Sequence, residues 1–233
     1  MRPHPDLGRG EEGLLVRTRE WDRDVAPRLL EALPEGWSAH NGHLSTVAAD
    51  GHLAWHISRQ LSRSGGFELH AVIQPLYVCS TVLVGNFDKI LGHGVDDVRS
   101  FFIAHTPDEV PVEEIVSLAH RFALPYFDRY GTGLRSFLAL PVDFARSRPD
   151  GRGTWTTEAW TAGAHSLLGE WAEAKRAWTN CLTELAYFAE DLAPETRRLA
   201  AHGADAGDAE SRAALVAWLL ENEREMRVRW HLP

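Results

Sequence analysis

Two periods of apolar spacing divide the chain. Residues 1–18 mix Pro, Gly and charge with neither period and read as a flexible arm. Trp21, Val25, Leu29 and then Ala32 or Leu33 recur at helical spacing, so a first helix is expected over 19–33, stopped by Pro34 and Gly36. From His43 the period falls to two. Leu44, Thr46 and Ala48 alternate with His43, Ser45 and Val47, and after Asp50-Gly51 a second run places Leu53, Trp55 and Ile57 between His52, Ala54, His56 and Ser58. Asp-Gly between alternating runs predicts a two-residue type I′ hairpin, because both central positions of that turn need positive φ. Such a loop sets Ala49 opposite His52, Thr46 opposite Trp55 and Leu44 opposite Ile57, which gathers the apolar residues of both strands on one face. A turn at 62–66 then leads into Phe67, Leu69, Ala71 and Ile73, a third strand with the same oily side.

Thr81–Val84 and Ser100–His105 read as further strands, joined through Gly92-His93-Gly94, while Asn86–Leu91 suits a short helix. Ile115, Ala119, Phe122 and Tyr126 form a helical stripe that Pro125 is expected to kink or end, since it lacks an N–H and disfavours a helical Leu124. A helix over Leu134–Leu140 stops at Pro141. The stretch 147–153 has no apolar residue and several turn formers, which marks a boundary. Beyond it, segments near 155–168, 170–190, 194–202 and 208–227 read as helices, separated by Gly169, Pro194 and a Gly/Asp-rich loop. The expected class is α+β: an antiparallel sheet of four to five strands packed with helices, followed by an all-helical C-terminal part. The expected organisation is an arm over 1–18, an α+β domain over 19–146 and a helical extension over 154–233 packed on it.

Composition narrows the partners. The 233 residues are 44% apolar, enough for a real core, and carry 24 basic against 33 acidic residues for a net charge of −9. Binding to nucleic acid or to an anionic membrane needs a basic face, so neither is expected. The longest apolar region, 71–85, is broken by Gln74 and Pro75 and falls short of the roughly 20 residues of a membrane span. The first residues have no apolar run after Arg2, unlike a secretory signal, and two cysteines make no disulfide framework. A cytoplasmic protein is expected. Arginine supplies nearly all of the basic residues, a bias associated with GC-rich bacterial genomes.

Candidate chemistry is sparse. There is no Gly-x-Ser-x-Gly elbow, no phosphate-binding Walker loop and no His-Glu-x-x-His. Gly131-Thr-Gly133 lacks a third glycine, and the adjacent pairs Asp96-Asp97 and Glu113-Glu114 point their carboxylates apart. Cys79 and Cys181 read as buried and inert. The histidines are the richer feature. The hairpin register puts His43 and His56 on its polar face, and symmetric pairing of the third strand adds His70 and Glu68. Three imidazoles and a carboxylate are a donor set for a divalent metal. The competing reading is a polar face, solvated or covered by a helix, and no cofactor is expected on that reading.

The most specific local pattern is Gly169-Glu-Trp171-Ala-Glu-Ala174-Lys-Arg-Ala-Trp178-Thr-Asn-Cys181-Leu182, which resembles the turn and second helix of a tetratricopeptide repeat. The resemblance implies one helical hairpin near 158–185; no second copy stands at a 34-residue period. Trp160, Trp171, Trp178 and Trp218 are then core anchors or a partner surface, the latter if more than one is exposed on a shared face. The order of helix, Gly36-Trp37, alternating hairpin, a strand ending in Pro75-Leu76, and a helix closing on Leu124-Pro125-Tyr126-Phe127 resembles uncharacterised bacterial α+β domains over residues 19–140. Some such domains sit beside toxins as immunity proteins, which would give the −9 charge a role against a basic partner. The leading expectation is therefore a protein that acts by protein–protein interaction, immunity-type or accessory, with a protein partner and without catalysis. Its alternative is a metal- or small-molecule-dependent enzyme using the histidine-bearing sheet face. A third reading places an apolar ligand between sheet and helices, against Trp55.

Overall fold

Helix α1 runs as Thr18–Glu20, a π-type turn Trp21–Val25 and Ala26–Leu30, and helix α2 repeats that construction as Val112–Leu118, Ala119–Ala123 and Leu124–Tyr130. In each, the residue after the π turn bonds five back, Ala26 N to Trp21 O and Leu124 N to Ala119 O, and a proline comes next, Pro27 or Pro125. A proline offers no N–H to the carbonyl four residues back and its ring crowds that carbonyl; the wider turn relieves both. Pro125 therefore does not end α2. The extra residue of the π turn also rotates the buried face by one position. Ile115 and Ala119 are buried as the spacing predicts, but Ala123 and Phe127 come after them in place of Phe122 and Tyr126.

The computed structural model describes residues 16–62, 66–78, 88–141, 154–188 and 193–232. Residues 1–15 of the arm expected over 1–18, the tip of the turn at 63–65, the strand expected at Thr81–Val84, the boundary stretch 147–153 and Cys79 lie outside them; of the rest of that arm, Val16 is buried with its N–H bonded to Ala104 O, and Thr18 opens α1. The described strands are β1 Ser38–His40, β2 His43–Val47, β3 Leu53–Ser62, β4 Gly66–Pro75, β5 Lys89–Ile90 and β6 Phe101–Phe102. They form one sheet in the order β1-β2-β3-β4-β5, with β6 also on β4. Antiparallel pairing sets His40 opposite His43, His70 opposite Ile90 and Phe67 opposite Phe102. Residues 89–90, expected in a short helix, are strand.

The type I′ turn sits one hairpin earlier than expected. Asn41 and Gly42 both have positive φ, 50° and 81°, between the paired His40 and His43. Asn-Gly is the strongest short signal for that turn, and it makes β1 the strand that the alternation missed. At Asp50-Gly51 only Gly51 has positive φ, 82°, and Gly51 N bonds Ala48 O at 2.9 Å, closing a turn that ends on one left-handed residue. Asp50 has no positive φ, and its carboxylate is engaged: Oδ1 accepts from His52 N at 3.1 Å and Oδ2 from Leu134 N at 3.0 Å. The register survives the change of turn. Ala48 N to Leu53 O and Arg59 N to Gly42 O are bonds of the expected pairing.

After α3 (Leu134–Phe137), the C-terminal part is four helices: α4 Trp155–Leu167, α5 Trp171–Leu185, α6 Pro194–Asp205 and α7 Ala209–Arg229. Thr154 Oγ1 caps α4 by accepting from Thr157 N, and Asp208 caps α7 by accepting from Ser211 N at 2.8 Å. Gly169, with φ of 73°, turns α4 into α5. The packing closes on itself: α4 on α5, α5 on α6, α6 on α7, and α7 back on α4. Trp160 and Trp178 fill this interior. Trp178 Nε1 donates to Ser166 Oγ at 3.1 Å, and Tyr77 OH donates to Trp160 O at 2.8 Å.

Two compact units divide the described residues, one drawn from those within 16–45, 57–71 and 89–124, the other from those within 46–56, 72–88 and 125–232. In the first, Trp21 meets Phe67 edge-on at 5.4 Å, and buried Arg59 lies 4.9 Å over the Trp21 ring while donating to Val16 O at 2.6 Å. In the second, Ala54, Leu76 and Met226 form a cluster with Val47, Trp230 and Leu232 against it. Among the described residues, no helix is long and apolar enough to cross a membrane.

Candidate functional site

Strand alternation puts His43, His56 and His70 on polar-reading faces, and the structure buries most of those faces. Ser45, His56, Ser58 and His70 are all buried. His56 is fully enclosed, its ring 5.9 Å from Trp230, the residue after α7. His70 Nε2 lies 3.5 Å from Glu68 Oε2, a pair made by residues two apart on one strand. His43 is half-buried, and burial pushes its imidazole below the ordinary range, with His40 and Arg59 adding to that and Asp22 opposing it. His43, His70 and Glu68 fall in the first unit and His56 in the second. Among the described residues, no group of three His, Cys, Asp or Glu side chains has the spacing to hold a metal. Trp55 is also occupied: its ring stacks on Phe127 at 5.2 Å and its Nε1 donates to Gly131 O at 2.9 Å.

A histidine outside that set has the better-built surroundings. His52 Nδ1 is 2.8 Å from Glu223 Oε2, and Arg227 reaches both Glu223 Oε1, at 3.4 Å, and Gly51 O, at 2.7 Å. The Glu223 hydrogen bond raises the His52 pKa more than burial lowers it. These contacts clamp the β2–β3 turn to α7. Glu223 and Arg227 stand at i,i+4 on one helix face, which is readable in sequence, whereas the contact to His52 spans 171 residues and has no local signal.

The four tryptophans separate. Trp160 and Trp178 are buried in the helical interior, while Trp171 and Trp218 are half-buried. Trp218 lines a small cavity of about 120 Å³ with Thr196, Asn222 and Glu225. Trp171 lines an open hollow of about 540 Å³, floored by Ala213, Val216, Ala217 and Leu220 of α7. Its one charged wall is Arg212, whose guanidinium stands 5.3 Å over the Trp171 ring. Arg212 Nε is buried and has no hydrogen-bond partner among the described residues. Beside Trp171, Glu170 is held by His165 Nδ1 at 2.7 Å and Arg135 at 2.5 Å, and these lower its pKa. The hollow thus has a fixed aromatic rim, an apolar floor and one donor lacking an acceptor.

The helical spacing of the floor residues is legible in the sequence, but the tryptophans are its more conspicuous feature and point to the rim alone. No protein-family model, curated protein or solved structure matches this chain.

Proposed function

We propose that this protein acts by binding another protein, and that the hollow bounded by Trp171, Arg212 and the outward side of α7 is its docking surface. The observation that carries this reading is an exposed apolar floor on a helix whose opposite side is already buried. Leu215, Leu219 and Met226 face the interior, yet Ala213 and Ala217 are exposed and Val216 and Leu220 only half-covered. A helix apolar on both sides has one side left for a partner. The aromatic–arginine rim is the residue pair most enriched where binding energy concentrates.

Affinity capture with the tagged full chain tests this. A specific protein is expected on the wild type and on an Ile103→Glu control, which alters an exposed apolar residue elsewhere, and is expected to be lost with Ala213→Glu. Capture of nothing, or equal capture by Ala213→Glu, contradicts the reading.

A further inference from the structure

We infer that the cavity beside Trp218 binds a small free α-amino acid as its zwitterion, at a site separate from the docking surface. The cavity measures about 120 Å³, and none of its lining residues floors the Trp171 hollow. At about 30 Å³ per water it admits roughly four waters, or one molecule the size of glycine, alanine or serine. That size sets aside nucleotides and peptides. The lining is graded from inside to outside. Val78, Thr196, Leu199 and Asn222 are buried, whereas Glu195, Arg198 and Glu225 are exposed.

Two of the buried polar side chains are incompletely satisfied. Thr196 is 6% exposed, and its hydroxyl has no hydrogen bond among the described residues. Asn222, 8% exposed, gives its amide N–H to Tyr77 O at 3.1 Å, which leaves its Oδ1 an acceptor with no donor among them. Buried polar groups are nearly always satisfied, so two left open on one cavity call for a polar ligand. The charges around them say which kind. Helix α6 starts at Pro194 without a side-chain cap, so its dipole favours a carboxylate beside Thr196 and Arg198. Glu195, three residues before Arg198, offsets only part of that field. On α7, Asn222 Oδ1 and Glu225 are acceptors for an ammonium group, and Arg224, next to Glu225, is paired with Glu221. A simple anion would meet two carboxylates, and a simple amine would meet Arg198 and the start of α6. A zwitterion suits both sides, with Leu199 and Trp218 left to pack on a short side chain.

Isothermal titration calorimetry of the full chain with glycine, L-alanine and L-serine, each to about 20 mM, tests this. At least one is expected to bind once per chain with Kd below about 1 mM. Propionate and ethylammonium, which carry one charge each, should bind at least about tenfold more weakly. Arg198→Gln and Glu225→Gln, both at exposed positions, should each weaken the amino acid by about three- to tenfold. Thr196→Val should weaken it by a similar factor while leaving the thermal unfolding midpoint unchanged or higher, because the hydroxyl it removes is unsatisfied in the free protein. A hydroxyl with a purely structural role would lower that midpoint and leave binding as it was. No binding by any of the three amino acids leaves Thr196 and Asn222 to water and overturns the inference. Binding indifferent to both Thr196→Val and Arg198→Gln, or matched by propionate or ethylammonium, overturns it as well.

Discussion

The face of the sheet that carries His56 and the outward side of α7 are each other's inverse. The first is polar in composition and buried: His56, Ser58 and Gln74 are closed off from water. The second is apolar in composition and open, with Ala213 and Ala217 exposed. Both depend on α7 and the residues just after it, since Met226 and Trp230 lie against Ala54 and His56 while Val216 and Leu220 look outward. The C-terminal end of that helix and the residue after it therefore lie against Ala54 and His56, while its other half carries exposed Ala213 and Ala217. Burial, rather than residue type, separates a structural group from one available to a ligand.

Four substitutions test that contrast, in descending order of effect. His56→Ala empties a fully buried site beside Trp230 and should cost about 2–4 kcal/mol in urea unfolding. The loss should be the same with and without a chelator, and a chelator-dependent loss would return the sheet face to metal chemistry. Gly203→Ala forces a methyl group into the Trp178 ring and should cost about 1–3 kcal/mol, which marks the interior of the helical part as tightly packed. Glu223→Gln removes the charged partner of His52 and should cost about 1–2 kcal/mol near pH 6, where the imidazole is protonated and the carboxylate ionised. Because folding raises the His52 pKa, that contribution is complete below the ordinary imidazole value of about 6.5 and is lost as pH rises through the raised value. The gap between the unfolding midpoints of wild type and variant should therefore narrow in alkaline solution to the small contribution of the Arg227–Glu223 pair, and a difference that grew with pH would contradict the assignment. Ala217→Ser, on the open face, should change stability by less than about 0.5 kcal/mol.

Much of this fold is written locally. The starts of α4, α6 and α7 fall within a residue or so of expectation because caps and breakers such as Thr154, Gly169, Pro194 and Asp208 act over one turn. The β2–β3 register is readable since alternation and loop length agree, even though the turn at Asp50-Gly51 differs from the expected type and the Asp50 carboxylate takes Leu134 N as a partner. That partner lies 84 residues away and no local rule reports it. Pro125 misleads in a subtler way. A local rule gives a stop, and the chain answers with a π turn that moves the buried stripe to Ala123 and Phe127. The candidate site is half legible. The apolar spacing on α7 can be counted from sequence, but which of its two apolar sides stays open depends on how α4 and α6 pack against it.

The exposed apolar side of α7 and the buried histidine-bearing face should respond differently to a soluble paramagnetic relaxation agent. Methyl NMR of the full chain titrated with such an agent reads both at once. The methyl signals of Ala213 and Ala217 should broaden as the agent is added, while those of Ala54 and Val72, both buried, stay sharp. Sharp α7 signals, or broadening centred on Ala54 and Val72, would contradict the assignment of these two faces.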